Sequence, residues 1–435
     1  MKQGKYDVVV VGAGMGGLCS AALLVHSGYK TLVVEKLPFV GGRASSTKYK
    51  GFTLPTGALY VETGGVVERV FKEAGAAFPV RGFPMQLSFR MGGKDYLMAP
   101  KGGLKGLMSN FADEAETTRV IGAIRRAFGW KEPSSAISIH NWLLQYTQNE
   151  KVLAIFRGLV NYQCVNFNDM PASEFIRQLR FGTGATAGAH PQGFLALMKE
   201  LVKVIEAGGG HVWTSCRVKR IIVQDEVAKG IIVEQNGSEL DIAASMVISD
   251  AGPHKTVELA GTKHFDKGYL KELKENVRPL SYICIEVSSK KPLVDFAGVM
   301  VVPEGRRQMT MMCTSLAYPE YAPPGKHLLQ AWAAPDSSFL PMDTAREIDL
   351  VVQDIRDSIP QFDREAEILH VSYWQKDWPM YRAMPGALTQ KTSVENLYNV
   401  GDGVAPLVPL GLPACAETAR IVVEDIKQRI KPAPA

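Results

Sequence analysis

The sequence predicts an α/β protein in two parts: a parallel sheet gathered from separate stretches of chain, and a second part of α+β character. Three observations carry this. Val8-Val9-Val10-Val11 and Thr31-Leu32-Val33-Val34 are short, β-branched runs with the composition of buried parallel strands, and a helical stretch from Leu18 to Ser27 lies between them. Near the other end of the chain, Asn396 to Val400 reads as one more buried strand, followed by a helix over Ala414 to Lys427. Between these ends the texture changes, with hairpins, amphipathic helices and alternating strands.

The first strand stops at Gly12-Ala13-Gly14-Met15-Gly16-Gly17, which fits G-x-G-x-x-G through Gly12, Gly14 and Gly17. Gly12 allows a tight turn, Gly14 lets the main chain approach a pyrophosphate, and Gly17 lets the helix lie close to the strand. The free N–H groups at the helix start meet the phosphate charge. Glu35 ends the second strand, 35 − 17 = 18 residues past the last glycine, where it can accept hydrogen bonds from both hydroxyls of an adenosine ribose. Gly16 inside the turn and Lys36 beside the acid belong to the same candidate site. A carboxylate here disfavours a ribose 2′-phosphate. The unit is therefore Rossmann-like and takes a dinucleotide.

Val40-Gly41-Gly42-Arg43-Ala44 follows closely. Gly42 permits another close backbone approach, and Arg43 can neutralise a phosphate with forked hydrogen bonds. With the glycine turn and the acid, this Gly-Gly-Arg resembles the FAD-containing amine oxidase and phytoene desaturase superfamily. The resemblance implies a discontinuous, GR2-type FAD-binding domain, with Arg43 at the pyrophosphate. That family usually carries Gly-Phe-x-x-Asp-x-Gly next; this chain keeps Gly51, Phe52 and Gly57 but has Pro55 in place of the acid. The resemblance further implies that main chain at Val218 contacts the adenine. It puts Asp402 of Gly401-Asp402 at the ribityl–pyrophosphate region and starts the last helix, near Leu412, beside the flavin. The N-terminal partial charge of that helix would favour electron density on reduced flavin. Trp374-Gln-Lys-Asp-Trp378-Pro379-Met-Tyr381 is similar to an aromatic segment beside the flavin ring, so Trp378 and Tyr381 are candidate substrate contacts, as is His190. The family's covalent-flavin cysteine lies in a different local pattern, so Cys415 reads as a helix thiol.

The two nucleotide-binding ends must meet in space. The expected FAD domain comprises 1–80, 190–260 and 390–435, and the substrate domain 81–189 and 261–389. The substrate part begins with a hairpin, Leu87 to Met91 and Asp95 to Met98. Helices follow over Lys101 to Asn110, Glu114 to Phe128, Ile139 to Thr147, Val152 to Val160 and Ala172 to Phe181. Gly182 to Ala189 reads as a join or a loop over the site. His190 opens a helix from Leu195 to Ala207. Strands are expected over His211 to Thr214, Val218 to Val223, Gly230 to Glu234, Glu239 to Ile242 and, separately, Met246 to Ser249. Another set covers Tyr282 to Ser288, Gly298 to Val302, Met309 to Cys313 and His327 to Ala333, a sheet with helices 101–182 against it. Met309, Met311 and Met312 read as core gap-filling or as adaptable substrate-facing surface.

Bulk properties agree with two domains that each have a core: 435 residues, 46% hydrophobic and 21% charged. A net charge of +5 is too small and scattered for nucleic acid, though it suits weak attraction to an anionic membrane surface. Six scattered cysteines without C-x-x-C indicate a reducing, cytoplasmic setting, and eight scattered histidines show no metal-ligand spacing. Met1 to Lys5 is too short and polar for a signal peptide, and no run of about 20 apolar residues spans a bilayer.

Three functions compete. One is an FAD-dependent desaturase, saturase or isomerase of an apolar, isoprenoid-like or polyene substrate, working by hydride transfer at flavin N5. The second is an amine-oxidase-like enzyme, which needs an aromatic cage and a small polar cavity. The third is a non-enzymatic lipid carrier of the GDP-dissociation-inhibitor type. The catalytic base, the substrate, the direction of electron flow and the oligomeric state are not legible in the sequence.

Overall fold

The computed structural model describes residues 5–83, 86–99, 101–129, 131–161, 164–181, 186–339, 341–374, 380–381, 388–404 and 411–432. It begins with the expected strand Tyr6–Val11, buried at every position, the mark of a strand covered on both faces. On one side it pairs in parallel with Thr31–Val34, and that strand pairs with His211–Trp213. On the other side lies Ser238–Ser249, also parallel. Leu397–Asn399 adds to the far side of that last strand, so both ends of the chain meet in one sheet.

The strand Ser238–Ser249 corrects the expectation of two strands. Its first half pairs antiparallel with Val227–Gln235, which in turn pairs with Arg217–Gln224. Its second half pairs parallel with Tyr6–Val11 from Ala244 onward. The small residues Ala243-Ala244-Ser245 mark the change of partner rather than a break in the strand.

The first helix is Met15–His26, three residues earlier than the sequence indicates, and Met15 to Val25 are all buried. Such a helix is apolar on every side. It packs between the last helix, Leu412–Arg429, the helix Phe194–Ala207 and the sheet. Each of its buried leucines, Leu18, Leu23 and Leu24, contributes roughly 1.5–3 kcal/mol.

The second large sheet has seven strands, in the order Ala366–Tyr373, Ile283–Ser289, His327–Ala334, Gln308–Cys313, Val299–Val302, Leu87–Met91 and Lys94–Met98. All neighbours are antiparallel except Val299–Val302 and Leu87–Met91. One face, with Ile283, Ile285, Val287, Met309 and Met311, packs on Val351 and Ile355 of the helix Thr344–Ser358. The opposite face, with Tyr282, Cys284, Met312 and Trp332, joins the core cluster that contains the first helix. The helix Glu150–Asn161 covers part of that face, where Gly158 leaves room for Val301. Met309, Met311 and Met312 are all buried, as core gap-filling requires.

Thr186–Ala189 is a strand rather than a join, held between Val61–Thr63 and Arg81–Phe83. A Cβ on Gly188 would lie 2.6 Å from Arg81 O, so only glycine fits between these neighbours. Among the described residues, no helix is long and apolar enough to cross a membrane.

Candidate functional site

The glycine turn has the conformation its residues suggest. Gly12 has φ +98°, in the region that favours glycine. A Cβ on Gly17 would sit 2.1 Å from Gly12 O and 3.2 Å from Val10 Cγ1, which is how that glycine brings helix and strand together. Gly14 is the helix N-cap and offers no side-chain cap, leaving the first N–H groups for an anion.

Glu35 is buried at the end of its strand. Its Oε2 accepts from Ala13 N–H and its Oε1 from Leu37 N–H, each at 2.8 Å. The carboxylate is thus oriented by main chain, and each oxygen keeps a lone pair for a ribose hydroxyl. Lys36 next to it is exposed. Main chain beyond His211–Trp213 runs alongside: Cys216 N–H donates to Glu35 O (2.9 Å) and Ser215 N–H to Leu37 O (2.8 Å). Val218 lies two residues further on, part-buried, in the strand Arg217–Gln224.

The Gly-Gly-Arg turn docks on the glycine turn through Gly41 N–H, which donates to Ala13 O at 2.6 Å. Gly41 is the crowded position: a Cβ there would lie 2.5 Å from Ala44 O, whereas Gly42 faces open space. Thr56, next to the unexpected Pro55, ties this turn: its Oγ1 donates to Gly42 O (2.7 Å) and accepts from Ser45 N–H (3.1 Å). The main chain at Ala58 then donates to Arg43 O at 2.9 Å.

Arg43 joins the two ends of the chain. Its Nη2 lies 3.1 Å from Asp402 Oδ1 and its Nη1 3.4 Å from Oδ2. Burial works against the guanidinium charge, but the charge and hydrogen bonds of Asp402 outweigh it and hold the Arg43 pKa up. Gly401 N–H donates to Thr418 Oγ1 (3.0 Å), which fastens this loop to the last helix. That helix starts at Leu412 after an uncapped Gly411.

Sequence reasoning missed Asp250. It follows the strand Ser238–Ser249, and its carboxyl lies across the glycine turn, next to Gly14, Gly16 and Gly401. Burial pushes this carboxyl up to about 8; a hydrogen bond from Gly17 N–H pulls it down, Asp402 raises it, Arg43 lowers it and Glu35 raises it. The residue keeps some surface open, so water tempers the burial effect.

Of the aromatic segment, Trp378 lies outside the described residues, and of Tyr381 only the main chain is described, pairing with Pro279. Trp374 takes the prominent place. Its ring stacks on Tyr282 with centroids 5.8 Å apart and an interplanar angle of 7°. Its Cζ2 would be 3.3 Å from a Cβ on Gly57, beside the Arg43 main chain. Tyr282 in turn donates from its hydroxyl to Asn161 O at 3.0 Å. The pair therefore stands where the second sheet meets the nucleotide-binding half.

His190 is buried, and its ring Nδ1 accepts from Gln192 N–H (3.0 Å) while its main-chain O accepts from Tyr321 hydroxyl (3.0 Å). Burial lowers its pKa. These bonds give it a structural task at the entry to the helix Phe194–Ala207.

The same sheet face carries buried polar groups that alternation alone would assign to solvent. Glu286 is fully buried; His370 Nδ1 lies 3.2 Å from its Oε2 and Cys284 Sγ 3.7 Å from its Oε1. Burial raises the Glu286 carboxyl, against the pull of His370. Beside it, Gln330 Oε1 accepts from Thr314 Oγ1 at 2.6 Å, while Gln330 Nε2 is buried with no partner among the described residues.

A glycine turn with an uncapped helix start, an oriented acid, an arginine at the junction and an uncapped second helix make a set of groups whose chemistry fits FAD. Fold and site together define the class, an FAD-dependent oxidoreductase. The chain belongs to the flavin containing amine oxidoreductase family, whose model matches residues 15–427. It is 29% identical over 407 residues to an uncharacterized protein of Methanocaldococcus jannaschii, covering 91% of this chain and 92% of that one. It is 21% identical over 435 residues to the 15-cis-phytoene desaturase of Capsicum annuum, covering 91% of this chain and 73% of the relative. Among solved structures, an oxidoreductase from Methanosarcina mazei matches with TM-score 0.82 and 26% identity, over 97% of this chain and 100% of that one.

Proposed function

We propose that this oxidoreductase forms or removes a C=C bond in an apolar, isoprenoid-like or polyene substrate. The observation that carries the reading is the parallel Tyr282–Trp374 pair, set in one continuous apolar cluster that reaches from the nucleotide-binding half to the second sheet. A flat hydrocarbon is held well by such a wall. The similarity to a phytoene desaturase along nearly the whole chain supports the same substrate class.

Bound FAD supplies two-electron chemistry at its flavin ring. The chain's own residues do the rest. The first helix and Arg43 anchor the cofactor, and the start of the last helix offers positive partial charge to the reduced ring. The aromatic pair orients the substrate, which matters most where positioning dominates. Glu286, with His370 half-exposed behind it, offers a path between a buried carboxyl and solvent for the proton that accompanies hydride transfer. We further propose the division into an FAD unit of 1–80, 190–260 and 390–435 and a substrate unit from the remainder.

A second reading, oxidation of a small amine, draws on the buried Glu286 and Gln330 on that sheet face and on Thr314, which donates to Gln330 from the turn after the strand Gln308–Cys313. The test is anaerobic incubation of the flavin-loaded protein with polyenes and with amines, following flavin bleaching and analysing products. Bleaching with a double-bond change in a polyene supports the first reading; bleaching by amines alone overturns it.

A further inference from the structure

Asp250 stands where an anion is expected. Its N–H donates to Val11 O at 2.8 Å, which aims the side chain across the glycine turn. A Cβ on Gly14 would lie 2.4 Å from Asp250 Oδ2, one on Gly16 2.8 Å from Oδ1, and one on Gly401 3.0 Å from Oδ1. All three glycines thus make room for this carboxyl, which also accepts a hydrogen bond from Gly17 N–H in the first turn of the helix. It uses a donor that the helix start offers to phosphate. A pyrophosphate brought to the same turn sets anion against anion unless the carboxyl is neutral.

We propose that Asp250 is a proton-linked positioning residue of the cofactor site: its carboxyl is protonated when FAD is bound, so FAD binding takes up a proton at high pH and weakens as pH rises. The proposal rests on the assignment of the pyrophosphate to the glycine turn. The groups facing the carboxyl are Glu35 from the second strand, Arg43 from the Gly-Gly-Arg turn, Asp402 from the loop after Leu397–Asn399, and the thiols of Cys19 and Cys415 from the first and last helices. Burial first, and then the nearby carboxylates, push both thiols up, so they stay neutral while Asp250 titrates.

The direction follows from linkage. Burial pushes the carboxyl up to about 8 in the free protein, and the negative charge of a pyrophosphate at the same turn pushes it in the same direction. Below the free value the group is protonated with or without FAD, and affinity is flat. Above it, binding requires a proton, and affinity falls by up to about tenfold per pH unit until the bound-state value is reached.

The experiment titrates the FAD-free protein with FAD from about pH 6.5 to about pH 9.5, by flavin fluorescence. Calorimetry in two buffers of different ionisation enthalpy counts protons. Wild type is expected to lose affinity above about pH 8 with uptake approaching one proton, and Asp250→Asn to bind with a flat profile and no uptake from this site. A wild-type protein that binds FAD without proton uptake across this range overturns the proposal, and that measurement needs no variant to fold. So does Asp250→Asn with the wild-type slope. If instead the pyrophosphate assignment is at fault, Arg43→Ala keeps wild-type FAD affinity; if only the role of Asp250 is at fault, Arg43→Ala weakens binding while the proton count stays at zero.

Discussion

Replacing Arg43 by alanine tests whether the two ends of the chain close on one cofactor. The guanidinium meets Asp402 at 3.1 and 3.4 Å, with 27% of the arginine and 7% of the aspartate side chain exposed. At such a separation the Coulomb attraction is about 5 kcal/mol for an effective dielectric of about 20. Desolvation and the partial exposure of Arg43 leave about 2–3 kcal/mol as the cost of stranding Asp402. In a chain of 435 residues that lowers Tm by roughly 2–3 °C. Loss of a charge-assisted contact to phosphate removes about 1.5–3 kcal/mol more from cofactor binding, a rise of roughly 10- to 150-fold in the FAD Kd. The assay pairs thermal melts with FAD titration of Arg43→Ala, Asp402→Asn and the double variant. Coupling above about 1 kcal/mol in the stability cycle is expected, because Arg43→Ala costs little once Asp402 carries no charge. Wild-type FAD affinity in Arg43→Ala, or strictly additive stability effects, would refute the reasoning.

Three further outcomes follow from the same geometry. Gly17→Ala places a Cβ 2.1 Å from Gly12 O, so the helix must move off the strand; a stability loss of about 1–3 kcal/mol and weakened FAD binding are expected in melts and titrations, while Gly42→Ala, facing open space, is expected to cost less than Gly17→Ala. The hydrogen bond to Glu286 raises the His370 pKa and burial raises that of Glu286, so folding favours the protonated forms of both: stability contributed by His370 is complete below its unfolded value of about 6.5 and is lost as pH rises through its folded value, and a His370→Asn variant should show a flatter fall in Tm over that range. Gln330→Leu removes a buried amide whose Nε2 lacks a partner among the described residues; KM for a pure hydrocarbon should hold or fall, whereas a substrate needing that donor should show a KM at least about tenfold higher, as steady-state kinetics on both kinds of compound would reveal.

The nucleotide-binding half was legible because its determinants are local. Val8 to Val11, Gly12, Gly14, Gly17 and Glu35 occupy one short stretch, and each residue's task follows from its neighbours in sequence. Even the junction of the two ends could be inferred, since Arg43 and Asp402 each sit in a recognisable turn. What stayed hidden depends on residues that only folding brings together. Nothing in Ser249-Asp250-Ala251 marks a carboxyl that ends beside Gly14 and Gly16. Thr186 to Ala189 has no β-branched residue past its first position and reads as a join, yet two short strands reach it from both sides and Gly188 fits only because it lacks a Cβ.

The second sheet shows the same limit in the form that matters most for chemistry. Ile283, Ile285 and Val287 alternate with Cys284, Glu286 and Ser288, and in a lone antiparallel sheet the second set would face water. Here part of that face is covered by the helix Glu150–Asn161; Glu286 on it is buried, and Tyr282 at its edge stacks on Trp374. Period-2 patterning reports which residues share a face, not what the face meets. A polar residue on the outward half of an alternating strand is therefore a surface residue only if nothing docks there.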